Sequence, residues 1–215
     1  MTDQPQTLPE RQAALEAIAG QINVCTRCAL HAERTRAVPG AGPITAEIMF
    51  IGEGPGFHED RQGLPFVGQS GKYLEELLAM IGLNRSQVFI GNVVKCRPPD
   101  NRDPLPEEIA ICTDLYLYRQ ISVLNPKVIV TLGRYSMGLF FPNAKISAIH
   151  GQARWRDGRA YLPLFHPAAV LRNPGLRPQM EADFKRIPTI VAEYDRRASE
   201  KPDEPPPTPT QLSLF

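Results

Sequence analysis

The residues of this 215-residue chain best suited to bind a metal are its only cysteines, Cys25, Cys28, Cys96 and Cys112. Cys25 and Cys28 are close enough for one turn of chain to present both thiols to a single centre. Cys96 and Cys112 stand alone, whereas zinc ribbons usually bring two close pairs. A [4Fe-4S] cluster also takes four cysteines, and spacing does not choose between it and zinc. The plain alternative is that Cys112 is a buried apolar residue and Cys25/Cys28 a redox pair. A shared centre would staple the N-terminal segment to the body of the fold.

A second group of chemically able residues sits just after apolar runs. GEGPGFHED (52–60) follows EIMFIG (47–52), NVVKCRPP (92–99) ends VFIGNVV (88–94), and HPAA (166–169) follows AYLPL (160–164). These runs and KVIVTLG (127–133) read as four strands. Between them lie helical patterns: 9–22 with Leu15, Ile18 and Ile22 on one face, 71–82 capped by Ser70, 106–124 opened by Pro106, and a last helix over about 178–197. Strands alternating with helices predict an α/β fold, a mostly parallel four-stranded sheet covered on both faces. In such sheets ligands bind beyond the carboxyl ends of the strands, where three of the four runs meet these polar segments.

Bulk properties set the bounds. At 42% hydrophobic and 22% charged, with net charge +1, the chain has an ordinary globular balance. Any nucleic-acid footprint must therefore be local, and Arg154, Arg156, Arg159, Arg172, Arg177, Lys185 and Arg186 make one stretch basic. No run reaches the ~18 apolar residues of a membrane span, and the N-terminus lacks a secretory layout. The expectation is a cytoplasmic protein, with structural disulfides disfavoured.

GEGPGFHEDRQGLPFVGQSGKYLEELL, GNVVKCRPPDNR and FHPAAVLRNP, in this order and with four placed cysteines, resemble the family 4 uracil-DNA glycosylases from about Cys25 to about residue 195. Each motif alone is common; the ordered set is specific. The resemblance implies a three-layer α/β/α sandwich, a [4Fe-4S] cluster on Cys25, Cys28, Cys96 and Cys112, and hydrolysis of the N-glycosidic bond of deoxyuridine in DNA by a monomer.

The implied roles fit the residue types. A base must leave the stack to be attacked. Phe66 is placed as the wall on which it stacks, and Asn92 as the reader of its Watson–Crick edge, an amide donating to O4 and accepting from N3–H. His166 is placed as a neutral donor to O2 of the departing uracil anion, worth roughly 3–4 kcal/mol. Glu53 and Gly54 face the attacking water, Gly56 lies in the same loop beside the base, and Glu59 crowds the C5 side against thymine. Leu171 is the wedge; Arg172 and the helix start at Ser70 and Gly71 meet phosphates. Without the resemblance, Phe66 would read as core, Asn92 as a turn residue and His166 as a strand terminator. The inserted Lys-Arg-Arg-Ile-His loop of a covalently trapping relative is missing, so turnover is expected. The rival readings are a non-catalytic DNA-binding protein and a glycosylase for another deaminated base, such as hypoxanthine.

The chain is thus expected to divide into a glycosylase domain over 1–198, a Pro-rich disordered linker over 199–210 and a terminal peptide over 211–215. That peptide, QLSLF, resembles the motif by which bacterial repair proteins bind the β sliding clamp, with Gln211, Leu212, Leu214 and Phe215 as contacts. A linker of twelve residues at ~3.1 Å each reaches roughly 35–40 Å.

Overall fold

The computed structural model describes residues 7–200, so most of the expected linker and all of 211–215 lie outside the described residues. Helix α1 (Leu8–Asn23) begins in a capping box, Thr7 and Glu10 each bonding the other's backbone amide, and buries Leu15, Ile18 and Ile22. Strand β1 (Ile48–Gly52) leads into α2 (Phe57–Gln62) and α3 (Gln69–Met80), then β2 (Phe89–Asn92). Helices α4 (Pro106–Cys112) and α5 (Tyr118–Leu124) precede β3 (Val128–Leu132), α6 (Arg134–Phe140) and α7 (Ile146–Ile149). Strands β4 (Arg154–Arg156) and β5 (Arg159–Leu164) follow, then α8 (Pro167–Arg172), α9 (Arg177–Phe184) and α10 (Ile187–Glu200).

The sheet has five strands in the order β2-β1-β3-β5-β4, not the four expected. The added strand is β4, antiparallel to β5 and joined to it by Asp157 and Gly158, both at positive φ. That two-residue turn was announced by Asp-Gly between short alternating runs, but three residues with exposed ends carry almost no periodicity. The other pairings are parallel.

Alternation along the strands divides the core. Met49, Ile51 and Ile129 face the layer of α1, α4 and α5, whereas Ile48, Phe50, Val128, Val130 and Leu162 face that of α3, α9 and α10. Phe50 stacks on Phe184 at 5.6 Å. Two fully covered faces explain why β1, β2, β3 and β5 read as apolar runs.

Three helices differ from expectation. Ser70 is not the cap of α3: Gly68 is, and Ser70 lies in the first turn. The 106–124 helix is continuous but widens to a π turn over Thr113–Leu117, where the Thr113 hydroxyl donates to the carbonyls of Ile109 and Ala110. The last helix is two, broken at Lys185–Arg186, because Pro188 lacks an N–H and its ring would crowd the carbonyl of Phe184. Its second part runs through Glu200, two residues into the stretch expected as linker. No helix among the described residues is long and apolar enough to cross a membrane.

Candidate active site

The order β2-β1-β3 makes the chain leave β1 first to one side and later to the other. The crevice this opens lies at the carboxyl ends of the strands. A cavity of about 320 Å³ occupies it, lined by Glu53 and Gly54 after β1, Asn92 at the end of β2, and His166 after β5, with Phe66 and Ser70 from the α2–α3 side. Residues distant in sequence, which each motif alone could not connect, therefore share one wall.

His166 is the N-cap of α8, and its Nδ1 accepts the amide hydrogen of Ala168 at 3.1 Å. A ring nitrogen that accepts cannot also carry hydrogen, so the neutral ring bears its proton on Nε2. Burial pushes the imidazole pKa down to about 4, the Arg172 charge adding to the effect and Glu59 opposing it. Near neutrality the ring is an uncharged donor. Its neighbour is Phe66, ring centroids 5.7 Å apart.

Phe66 is buried and holds φ at +52°, a left-handed conformation costly for an aromatic residue. What holds it there is Arg85, whose fork donates to the carbonyls of both Pro65 and Phe66. Close packing also fixes two glycines. A Cβ on Gly52 would collide with Asn92 Oδ1 and stand 2.7 Å from the Phe66 ring, and one on Gly71 would collide with the Phe66 carbonyl. Asn92 is 1% exposed, and its Oδ1 has no hydrogen-bond partner among the described residues. A buried amide oxygen in that state fits a ligand N–H.

Glu59 acts first on its own loops. Its Oε2 accepts from the Gly56 amide at 3.1 Å and its Oε1 from the Val67 and Gly68 amides at 2.9 Å each. It thereby ties the loop after β1 to the loop carrying Phe66, while also lining the cavity. The Gly54 site lies so close to Val94 that a Cβ would come within 2.8 Å of its side chain. Burial raises the Glu53 carboxyl pKa, helped by Asp103 and opposed by Arg134 and Arg172.

The residues expected to face DNA separate into two groups. Leu171 and Arg172 are exposed at the end of α8, and Ser70 opens on the cavity. Gly71 is buried, its amide donates to the Gly68 carbonyl, and it packs directly against the Phe66 carbonyl.

All four cysteines are free, and they gather in one region where Cys25 and Cys28 pack against the core cluster holding Cys96 and Cys112. Burial raises the pKa of Cys28, Cys96 and Cys112, the last to about 11. Two N–H groups already point at sulfur, Arg34 at Cys96 Sγ (3.1 Å) and the Arg27 amide at Cys25 Sγ (3.5 Å). Among the described residues, no three side chains close together as ligands of a single metal ion.

Between the thiols and the cavity lies Lys95, which sequence reasoning missed. It is 1% exposed, and its Nζ donates to the Asn92 carbonyl (2.8 Å) and to Gln120 Oε1 (2.7 Å). Gln120 in turn donates to the Pro39 carbonyl at 2.8 Å. The peptide of Asn92 is thus braced from α5. The only sequence signal was a lysine lodged in an apolar run, VVKC.

Residues 39–187 match the uracil DNA glycosylase superfamily. The chain is 47% identical over 183 residues to a type-4 uracil-DNA glycosylase of Archaeoglobus fulgidus, covering 81% of this chain and 92% of the relative. It is 44% identical over 166 residues to the type-4 enzyme of Thermotoga maritima, covering 76% and 86%. A type-5 uracil-DNA glycosylase of Pyrobaculum aerophilum is more distant, at 29% over 158 residues, 65% and 69% of the two chains. With its cavity at the carboxyl ends of the sheet and this likeness over most of its length, the chain belongs to the uracil-DNA glycosylase superfamily, among the type-4 enzymes.

Proposed function

We propose that this protein is a monofunctional uracil-DNA glycosylase that hydrolyses the N-glycosidic bond of deoxyuridine in DNA and so begins base-excision repair. The observation that carries the reading is a neutral imidazole with its N–H free, set 5.7 Å from an aromatic wall in one cavity. The uridine swings out of the stack and its base lies on Phe66. Asn92 Oδ1, unpartnered among the described residues, accepts from N3–H while its amide donates to O4. As the bond to the sugar breaks, His166 Nε2–H stabilises the negative charge on O2. Glu53 and Gly54 hold the attacking water on the sugar side. Gly56 and Glu59 shape the C5 side, and the Glu59 carboxylate, accepting from the Gly56 and Val67 amides, supports a fixed wall there. Leu171 fills the vacated stack; Arg172 and the α3 start at Ser70 meet phosphates.

The cysteine region fits a [4Fe-4S] cluster: four free thiols, with N–H donors already directed at two of them. Cys25, Cys28, Cys96 and Cys112 would hold it, joining the segment after α1 to α4. When bound it would supply a cross-link, since hydrolysis moves no electron. The QLSLF ending, outside the described residues, is assigned to a β sliding clamp, and the protein to a cytoplasmic monomer.

One gel assay tests the activity against its rivals. Oligonucleotides with a single uracil, hypoxanthine or thymine are incubated with the protein and cleaved with alkali. Only the uracil strand should be cut; cleavage at hypoxanthine alone, or nowhere, would overturn the reading.

A further inference from the structure

Beside the cavity lies a feature with no role so far. Phe57, first residue of α2, is 48% exposed although it follows Gly56, which lines the cavity. A single exposed apolar side chain is ordinary, but this ring does not stand alone. Two guanidinium carbons stand over its ring, Arg97 at 5.3 Å and Arg61 at 5.6 Å. Arg97 directly precedes Pro98, which also lines the cavity.

These arginines differ from their neighbours. Arg102 is paired with Glu108 and Arg134 with Asp103. Neither Arg61 nor Arg97 has a carboxylate partner among the described residues; Arg97 bonds only the neutral Asn101 amide oxygen, at 2.8 Å. Two uncompensated positive charges next to a half-open aromatic ring complement a nucleotide, whose base offers a face and whose backbone offers anions. The mounting is firm. The buried Asp60 of α2 accepts from the Thr35 amide at 2.9 Å, and Glu59 fastens the same helix to the Phe66 loop.

We propose that Phe57, Arg61 and Arg97 form a second nucleotide site, which stacks an unpaired base next to the flipped uridine and holds its flanking phosphates. It rests on the glycosylase reading and extends it, because such a platform favours single-stranded substrate around the uracil. The exposed cation–π contacts are weak, so the guanidiniums can leave the ring for phosphate when a base arrives.

The test uses the full chain and short single-stranded oligonucleotides carrying one uracil. In a matched set, one neighbouring nucleotide at a time is replaced by an abasic analogue. Phe57→Ala should raise the KM for uracil release about tenfold on the intact strand. Phe57→Leu, apolar but without a flat face, should behave the same way, and Phe57→Trp should stay near the parent. On the strand whose abasic position faces the platform, parent and Phe57→Ala should converge. Binding should quench the fluorescence of Phe57→Trp, corrected for the single Trp155 of the parent, and that abasic strand should not. An unchanged KM for Phe57→Ala, or a penalty of one size at every abasic position, overturns the platform. Failure of the parent to release uracil from the intact strand would overturn the glycosylase reading and the platform with it.

Discussion

His166 can serve a departing anion only while Nε2 holds the ring's single proton, and both its hydrogen bond and its burial favour that state. A pH profile follows. With the pKa at about 4 instead of the usual 6.5, kcat/KM should stay level as pH falls through 6.5 and decline only toward 4. A break near 6.5 would mean the ring is not buried in this way. Stability carries the same signature. Between those values the unfolded chain takes up a proton that the folded one refuses, so the fold is weakened as pH falls through the window. His166→Gln should lose less melting temperature than the parent across that range. His166→Ala should lower kcat about 10²–10³-fold, the worth of one preorganised donor. Its grip on uracil-containing DNA should persist; equal catalysis by the folded variant would sink the mechanism.

At the scale of elements, the site depends on loops held in conformations that cost energy. Phe66 at φ +52° would relax without the Arg85 fork. Arg85→Lys keeps the charge but loses the planar fork that reaches the two carbonyls from separate nitrogens, so it should destabilise the fold by about 1–3 kcal/mol and raise KM. Glu59→Gln turns an amide toward one of the three backbone N–H groups that the carboxylate now receives. Two donors then face each other, at a cost of about 1–3 kcal/mol read by thermal melting. These two residues also mark how far the sequence could be read. Strands β1, β2, β3 and β5 were legible because apolar runs bounded by glycine and polar segments have a local cause. Their carboxyl-end motifs held Asn92 and His166, while the roles expected of those two and of Phe66 rested on the family resemblance. Arg85 and Lys95 were illegible because their partners are carbonyls and an amide brought close only by folding, 20 and 25 residues away in the two clearest cases. Strand β4 and the break before Pro188 did have local signals, an Asp-Gly turn and a proline, but too short a pattern around them. One more contact that no helix-start pattern reveals is at Gly71, where a Cβ would meet the carbonyl of Phe66.

Over the whole molecule, the proposed function assigns catalysis and delivery to separate parts of the chain. The cavity, its braces and the cysteine region all fall within residues 7–200, and α10 is followed in sequence by KPDEPPPTPTQLSLF (201–215). On that reading, a peptide beyond the proline-rich stretch would be gripped while the body engages DNA. Tethering of that kind raises local concentration and adds no contact to the uracil. Deleting 211–215 should therefore abolish binding to an immobilised β clamp and leave excision from a short uracil oligonucleotide at the parent rate, because no residue of the cavity is touched. On long primed DNA loaded with clamp, the same deletion should slow excision to the rate seen without clamp. Loss of activity on the short strand would place the peptide within the folded body instead, and retention of clamp binding would move the contact elsewhere on the surface.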